Sequence, residues 1–175
     1  MVGFDKGSIR IEDSAGHVIA LGTDAQTAYA VITPTTIDAV QVGDFVGSAV
    51  KRRRNHLVAV ELALIPSAMR AGRIGFYRWD PLPDPTIRDR AAVATTMTNG
   101  TIVASKTSQA GLKLSVTFVD ASGASSILVP TNAPIVRYLV ANRSAVRIGA
   151  SVMIKTNPGT TAGLVTIGKG VTPPM

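Results

Sequence analysis

Residues Leu57–Asp89 read LVAVELALIPSAMRAGRIGFYRWDPLPDPTIRD, and the fold class turns on how this stretch is parsed. In Leu57–Ile65, Val58, Val60, Leu62 and Leu64 fall on one face, with Leu57, Ala59, Glu61, Ala63 and Ile65 on the other. A period of two is the pattern of a strand buried mainly on one side. Pro66 has no N–H to give a ladder, and Ser67–Gly72 has the length of a loose hairpin connection. The second strand, Arg73–Trp79, puts Ile74 and Phe76 on one side and Tyr77 and Trp79 on the other. Three prolines within Asp80–Pro85 then stop it, because each removes a backbone donor. The expected element is a hydrophobic hairpin with a rigid acidic exit.

The same logic extends along the chain. Ile9–Glu12 alternates, Asp13–Gly16 is a turn, and His17–Leu21 is a second short strand. Thr27–Thr33 is a strand stopped by Pro34, whereas residues 35–50, with Gly43 and Gly47, suit a winding or weakly paired segment. Asp89–Met97 is predicted as one short helix capped by Asp89. Asn99-Gly100 signals a turn and Thr101–Thr107 a strand. Leu112–Val119 points Leu112, Leu114, Val116 and Phe118 inward, and Asp120–Gly123 turns it into Ser126–Val129. Ile135–Ala141 is followed by Ala145–Thr156, where Val146, Ile148, Ala150, Val152 and Ile154 share a face; Leu164–Ile167 closes the set. Frequent Val, Ile and Thr, only two Glu and no long 3.6-residue stripe give an all-β chain. The expected architecture is an eight-stranded antiparallel jelly-roll sandwich with one short helix. By size it is a single domain over 1–175: N-terminal strands and a winding segment (1–50), a shell core (51–156) and a Gly/Pro-rich tail (157–175).

Composition bounds the chemistry. There is no cysteine, hence no disulfide framework and no thiolate zinc site. No run approaches the length of a membrane span, and the N-terminus lacks a signal-peptide layout, so a cytosolic product without membrane partners is expected. Lys and Arg number 18 against 11 Asp and Glu, a net charge of +7 that favours a polyanionic partner such as nucleic acid. Yet only 17% of residues are charged while 46% are hydrophobic, which points to surfaces buried against other subunits.

The two histidines, His17 and His56, lie far apart and neither neighbours a Gly-x-Ser-x-Gly turn, so no hydrolase constellation or histidine metal site is visible. Lys51-Arg52-Arg53-Arg54 is the concentrated charge run, for which a solvated face, a nuclear-import-like signal and RNA contact compete; with His56, which reads equally as an ordinary surface histidine, it forms the candidate RNA-binding set. Asp80, Asp84 and Asp89 have two readings: turn chemistry before proline, or half of a calcium site, carried by Asp80 and Asp84 and completed by a neighbouring subunit. Otherwise no cofactor is implied.

The stretch resembles the paired shell strands of coat proteins from small icosahedral positive-strand RNA viruses, of tombusvirus, sobemovirus, luteovirus and bromovirus type. The resemblance lies in Leu57–Ile65, the small-residue turn Ser67–Gly72, the Gly-led strand closing on Trp79-Asp80-Pro81, and the segment Arg90–Met97. Leu64-Ile-Pro-Ser67 and Ala71-Gly-Arg-Ile74 add to it, and it spans about residues 50–156. It implies a capsid protein, not an enzyme, that self-assembles into an icosahedral virion and packages single-stranded RNA after synthesis in the host cytoplasm. Members of that family carry an arginine-rich N-terminal arm; this chain begins Met-Val-Gly-Phe, which places packaging on Lys51–Arg54 and other inward-facing cations. The alternative is an oligomeric all-β nucleic-acid-binding module of cellular or phage origin.

Overall fold

A computed structural model of the chain describes residues 1–54, 56–70, 75–117 and 124–173. Among these residues the regular structure is strand, with three single-turn 3-10 helices and no α-helix. The strands are β1 (Gly3–Phe4), β2 (Ser8–Glu12), β3 (Val18–Gly22), β4 (Ala28–Pro34), β5 (Phe45–Arg53), β6 (His56–Ile65), β7 (Gly75–Pro83), β8 (Ala92–Ser108), β9 (Gly111–Thr117), β10 (Ala124–Val129), β11 (Ile135–Ala141), β12 (Val152–Thr156) and β13 (Ala162–Gly168). They fall into two compact units, one of Met1–Thr33 with Tyr138–Met175 and one of Pro34–Arg137.

The first unit contains the antiparallel sheet β1-β2-β3 and a ladder in which β13 pairs β12 antiparallel and β4 parallel. The predicted β2–β3 hairpin forms because Asp13 Oδ1 accepts from the Ala15 and His17 backbone N–H groups, tying the Asp13–Gly16 turn. Ile9, Val146, Ala162, Val165 and Ile167 make its core. Thr27 Oγ1 donates to the Ala162 carbonyl over 2.8 Å, so this buried hydroxyl is satisfied.

The second unit is a closed barrel. β5 pairs β6, β6 pairs β10, β10 pairs β9, β9 pairs β8, and β8 returns to β5. All of these contacts are antiparallel except β6–β10, where Ile127 faces Leu57 and Leu128 faces Val58 in a parallel seam. Val46, Val50, Ala59, Leu62, Leu64, Ile102, Leu112, Leu114, Val116, Ile127 and Val129 fill the interior, as a small barrel requires. β7 adds to one end of β8, and the start of β11 pairs with Leu62–Leu64 of β6. Two bulges turn the corners. One leaves Val60 without an opposite residue, and the other pushes Val103 out to half exposure.

Several expectations are corrected. The hairpin expected between Leu57–Ile65 and Arg73–Trp79 is absent: both edges of β6 are occupied, by β5 and by β10 then β11, and β7 pairs β8. Arg73 and Ile74 themselves lie outside the described residues, as do Phe118, Val119 and the Asp120–Gly123 turn. The single-face reading of Leu57–Ile65 fails at Val60, because the bulge moves the inward set from Leu57 and Ala59 to Leu62 and Leu64. Val58–Leu62 are consecutively buried, so both faces are covered. Residues 45–50, within the expected winding segment, are instead the most continuously buried part of β5.

The predicted short helix over Asp89–Met97 is the start of β8. Val93, Thr95, Thr96 and Thr98 favour extended backbone, and Asp89 Oδ1 closes a turn onto the Ala91 N–H instead of capping a helix. Only Val152–Thr156 of the alternating Ala145–Thr156 segment is a strand. The Ala150 N–H bonds to the Arg147 carbonyl around Gly149 at φ 84°, a turn that leaves Ile148 73% exposed. Finally, the β6–β10, β6–β11 and β4–β13 pairings are parallel, so the sheets are mixed and not purely antiparallel, and the strands exceed eight.

Candidate nucleic-acid interface

The charge run lies on the β5–β6 hairpin. Arg53 pairs with His56, so Arg54 leads into a two-residue hairpin connection. A two-residue hairpin matching strand twist needs a left-handed residue at its first central position, and Arg54 has φ 54°. A side chain in that conformation costs about 1 kcal/mol or more relative to glycine. The cost is accepted with a guanidinium held out at the tip.

Below the tip, Arg53, Arg54, His56, Leu57, Val58, Thr86, Ala110, Lys113, Ser126, Leu128 and Pro130 line a cleft of about 550 Å³. Every lining residue belongs to the barrel unit. Arg53, Arg54, His56 and Lys113 are exposed, and among the described residues that line the cleft there is no carboxylate. Leu57, Val58, Leu128 and Pro130 give it an apolar floor along the β6–β10 seam. Basic side chains beside an apolar strip suit an anion that carries apolar surface.

The expected RNA-binding set therefore divides. Arg53, Arg54 and His56 line the cleft, while Arg52 is exposed but outside its lining. Lys51 does not line it. Its ammonium donates to Asp84 Oδ2 and Thr86 Oγ1, and the Lys51 and Asp84 side chains are only 12% and 6% exposed. Lys51 and Arg53 share a face of β5, and Lys51, one step further from the hairpin tip, meets Asp84 and Thr86 of the proline loop.

At Asp84, one of the two carboxylates of the calcium reading, both oxygens have protein partners. Oδ2 is held by Lys51, and Oδ1 accepts from the Thr86 N–H at 2.9 Å and the Thr86 hydroxyl at 2.8 Å. Burial alone would raise the Asp84 pKa, but the Lys51 and Thr86 hydrogen bonds outweigh it and hold the carboxyl below the usual carboxylate range. Asp80 is exposed, and its carbonyl accepts from the Thr95 hydroxyl. Among the described residues no cluster of three or more His, Cys, Asp or Glu is placed to hold a metal. His17 sits elsewhere, its Nδ1 3.1 Å from Asp13 Oδ2 in an exposed turn.

Lys113, Thr86 and the apolar floor were missed as site residues. The alternation of Leu112–Val116 does point Lys113 outward, but only the parallel seam brings β9 and β10 beside the arginine hairpin. Asp84 fixes the Thr86 wall, with the Asn132 amide donating to the Pro85 carbonyl alongside. Gly111 supports the wall at Ala110: its φ is 127°, and a Cβ there would lie 2.0 Å from the Val129 carbonyl oxygen.

Comparison of the chain with protein-family models, with curated proteins and with solved structures gives no match.

Proposed function

We propose that this chain is a self-associating structural protein that binds single-stranded nucleic acid, in its most specific form the coat protein of a small icosahedral RNA virus. The cleft carries the nucleic-acid part: Arg53, Arg54, Lys113 and His56 surround an apolar floor, with no carboxylate among the described lining residues. The net charge of +7 agrees with a phosphate-rich partner. Self-association is supported by apolar side chains left on the surface, among them Val18 at 60%, Val140 at 62% and Ile148 at 73% exposed. In this reading many copies close by symmetry around the RNA, in a virion assembled from subunits made in the host cytoplasm.

The eight-stranded jelly roll is the finer form of the reading and draws no support from the parallel seam of the barrel unit. That closed barrel favours a second reading, an oligomeric nucleic-acid-binding module of cellular or phage origin, since small closed barrels present oligonucleotide-binding faces on other folds. Neither reading includes catalysis or a cofactor.

Light scattering of the purified protein, with the ratio of absorbance at 260 and 280 nm, tests the proposal. Particles tens of nanometres across with co-purifying nucleic acid are expected for the coat protein. A small fixed oligomer that binds RNA selects the module. A nucleic-acid-free monomer at every concentration and salt contradicts both.

A further inference from the structure

Resting on the nucleic-acid reading above, we infer that the cleft is a seat for one unstacked base of a single strand, with the flanking phosphates held by Arg53 and Arg54 on one side and Lys113 on the other. The shape makes the first argument. A polyphosphate surface needs only exposed cations, whereas this site encloses about 550 Å³ and places Leu57, Val58, Leu128 and Pro130 between its cations. That volume lies within the range of pockets that enclose small organic ligands. A phosphate gains nothing from an aliphatic floor; a base does.

The second argument is rigidity. The floor runs along the seam where Leu128 pairs with Val58. The Thr86 wall is fixed through Asp84, which the Lys51 ammonium holds in turn. Arg53 is held in the β5–β6 ladder opposite His56. A base entering such a site meets a formed cavity and pays little ordering entropy.

The third argument concerns which nucleic acid fits. In a duplex the base faces are stacked, so its phosphates meet the rim cations while the floor stays empty. Among the described residues that line the cleft none is Phe, Tyr or Trp, so a base here is sandwiched between aliphatic side chains and a guanidinium plane. The Ser126 hydroxyl supplies a polar contact at the wall without fixing a base identity. Tolerance of all bases is the expected behaviour.

The test is fluorescence anisotropy of the full chain with labelled oligouridylate, an abasic ribose-phosphate oligomer of equal length and an RNA duplex. Oligouridylate is expected to bind at least about tenfold tighter than either of the others. The discriminating variant is Leu128→Lys, which adds a cation while removing apolar floor. A base seat predicts weaker oligouridylate binding in this variant, and a charge-only surface predicts tighter binding.

If Leu128→Lys does not fold, as judged by Trp79 emission, the abasic comparison on the unmodified chain decides alone. Equal affinity for the abasic oligomer, or tighter binding by Leu128→Lys, overturns the base seat and leaves the nucleic-acid reading intact. Failure of all three probes to bind overturns both. Free UMP serves as competitor: displacement as effective as by the unlabelled oligomer assigns the seat to a free nucleotide, which overturns the strand reading. Weak displacement supports a strand.

Discussion

Replacing Glu61 by Gln should abolish most of the pH dependence of the barrel unit's stability between pH 5 and 8. Glu61 lies on β6 opposite Ala49 of β5, which in turn faces Met97 of β8, itself opposite Tyr77 of β7. Its side chain therefore points to the outer, non-core face of the sheet, yet the residue is only 8% exposed. No ion pair to it exists among the described residues, and burial pushes its pKa up from 4.5 to about 8. Between those values the folded protein holds a proton that the unfolded chain has released. Stability therefore falls as pH rises, by about 1.4 kcal/mol per unit, from the unfolded pKa until the folded pKa is passed. From pH 5 to 7 the expected loss is about 2.5 kcal/mol.

Glutamine mimics the neutral acid in shape and hydrogen bonding, so Glu61→Gln should match the parent near pH 5 and exceed its stability near pH 8. Trp79, the single tryptophan, is on β7 of the same unit, and its emission follows urea unfolding without a label. Identical pH slopes for parent and variant, or a parent midpoint that does not move over this range, would refute the reasoning.

Other perturbations have equally definite signs. Gly111→Ala adds a Cβ that collides with the Val129 carbonyl at a left-handed backbone position, and should cost at least about 3 kcal/mol in the same urea assay. Lys51→Met strands the buried Asp84 carboxylate and should cost about 3–5 kcal/mol, while Lys51→Met with Asp84→Leu recovers most of that loss in a double-mutant cycle. Arg54→Gly should move two properties in opposite directions. It relieves the left-handed strain, stabilising the unit by about 1 kcal/mol, and it weakens RNA binding in a filter assay.

What the sequence conveys and what it withholds divide along physical lines. The β2–β3 hairpin was legible because Asp13-Ser-Ala-Gly16 encodes its own turn, and the Leu112–Val116 alternation because one face of β9 meets the core. Those signals are local. The β6 bulge at Val60 carries no local signature, since Val58–Leu62 are buried on both faces and the alternation averages out. The stretch over Asp89–Met97 contained a plausible cap, but its β-branched residues settle into β8 once β5 and β7 are there to pair with it.

The candidate site shows the same contrast. A run of cations is visible in any reading of residues 51–54, but Lys51 meets Asp84 while Arg53, on the same face and nearer the hairpin tip, lines the cleft. What each meets depends on strand limits that the run itself does not mark. Lys113 and Leu128 reach the site only through a parallel pairing between segments about seventy residues apart. Charge complementarity was readable; the apolar floor that gives the charge its use was not.

The most direct measurement is the salt dependence of single-stranded RNA affinity for the parent chain and for the Arg53→Ala/Arg54→Ala variant. Three cleft cations predict a slope of log K against log salt of about −2 for the parent, falling to about −0.7 in the variant. Equal slopes and equal affinities for the two proteins would mean that RNA, if bound, is bound elsewhere, and the cleft would lose its assigned role.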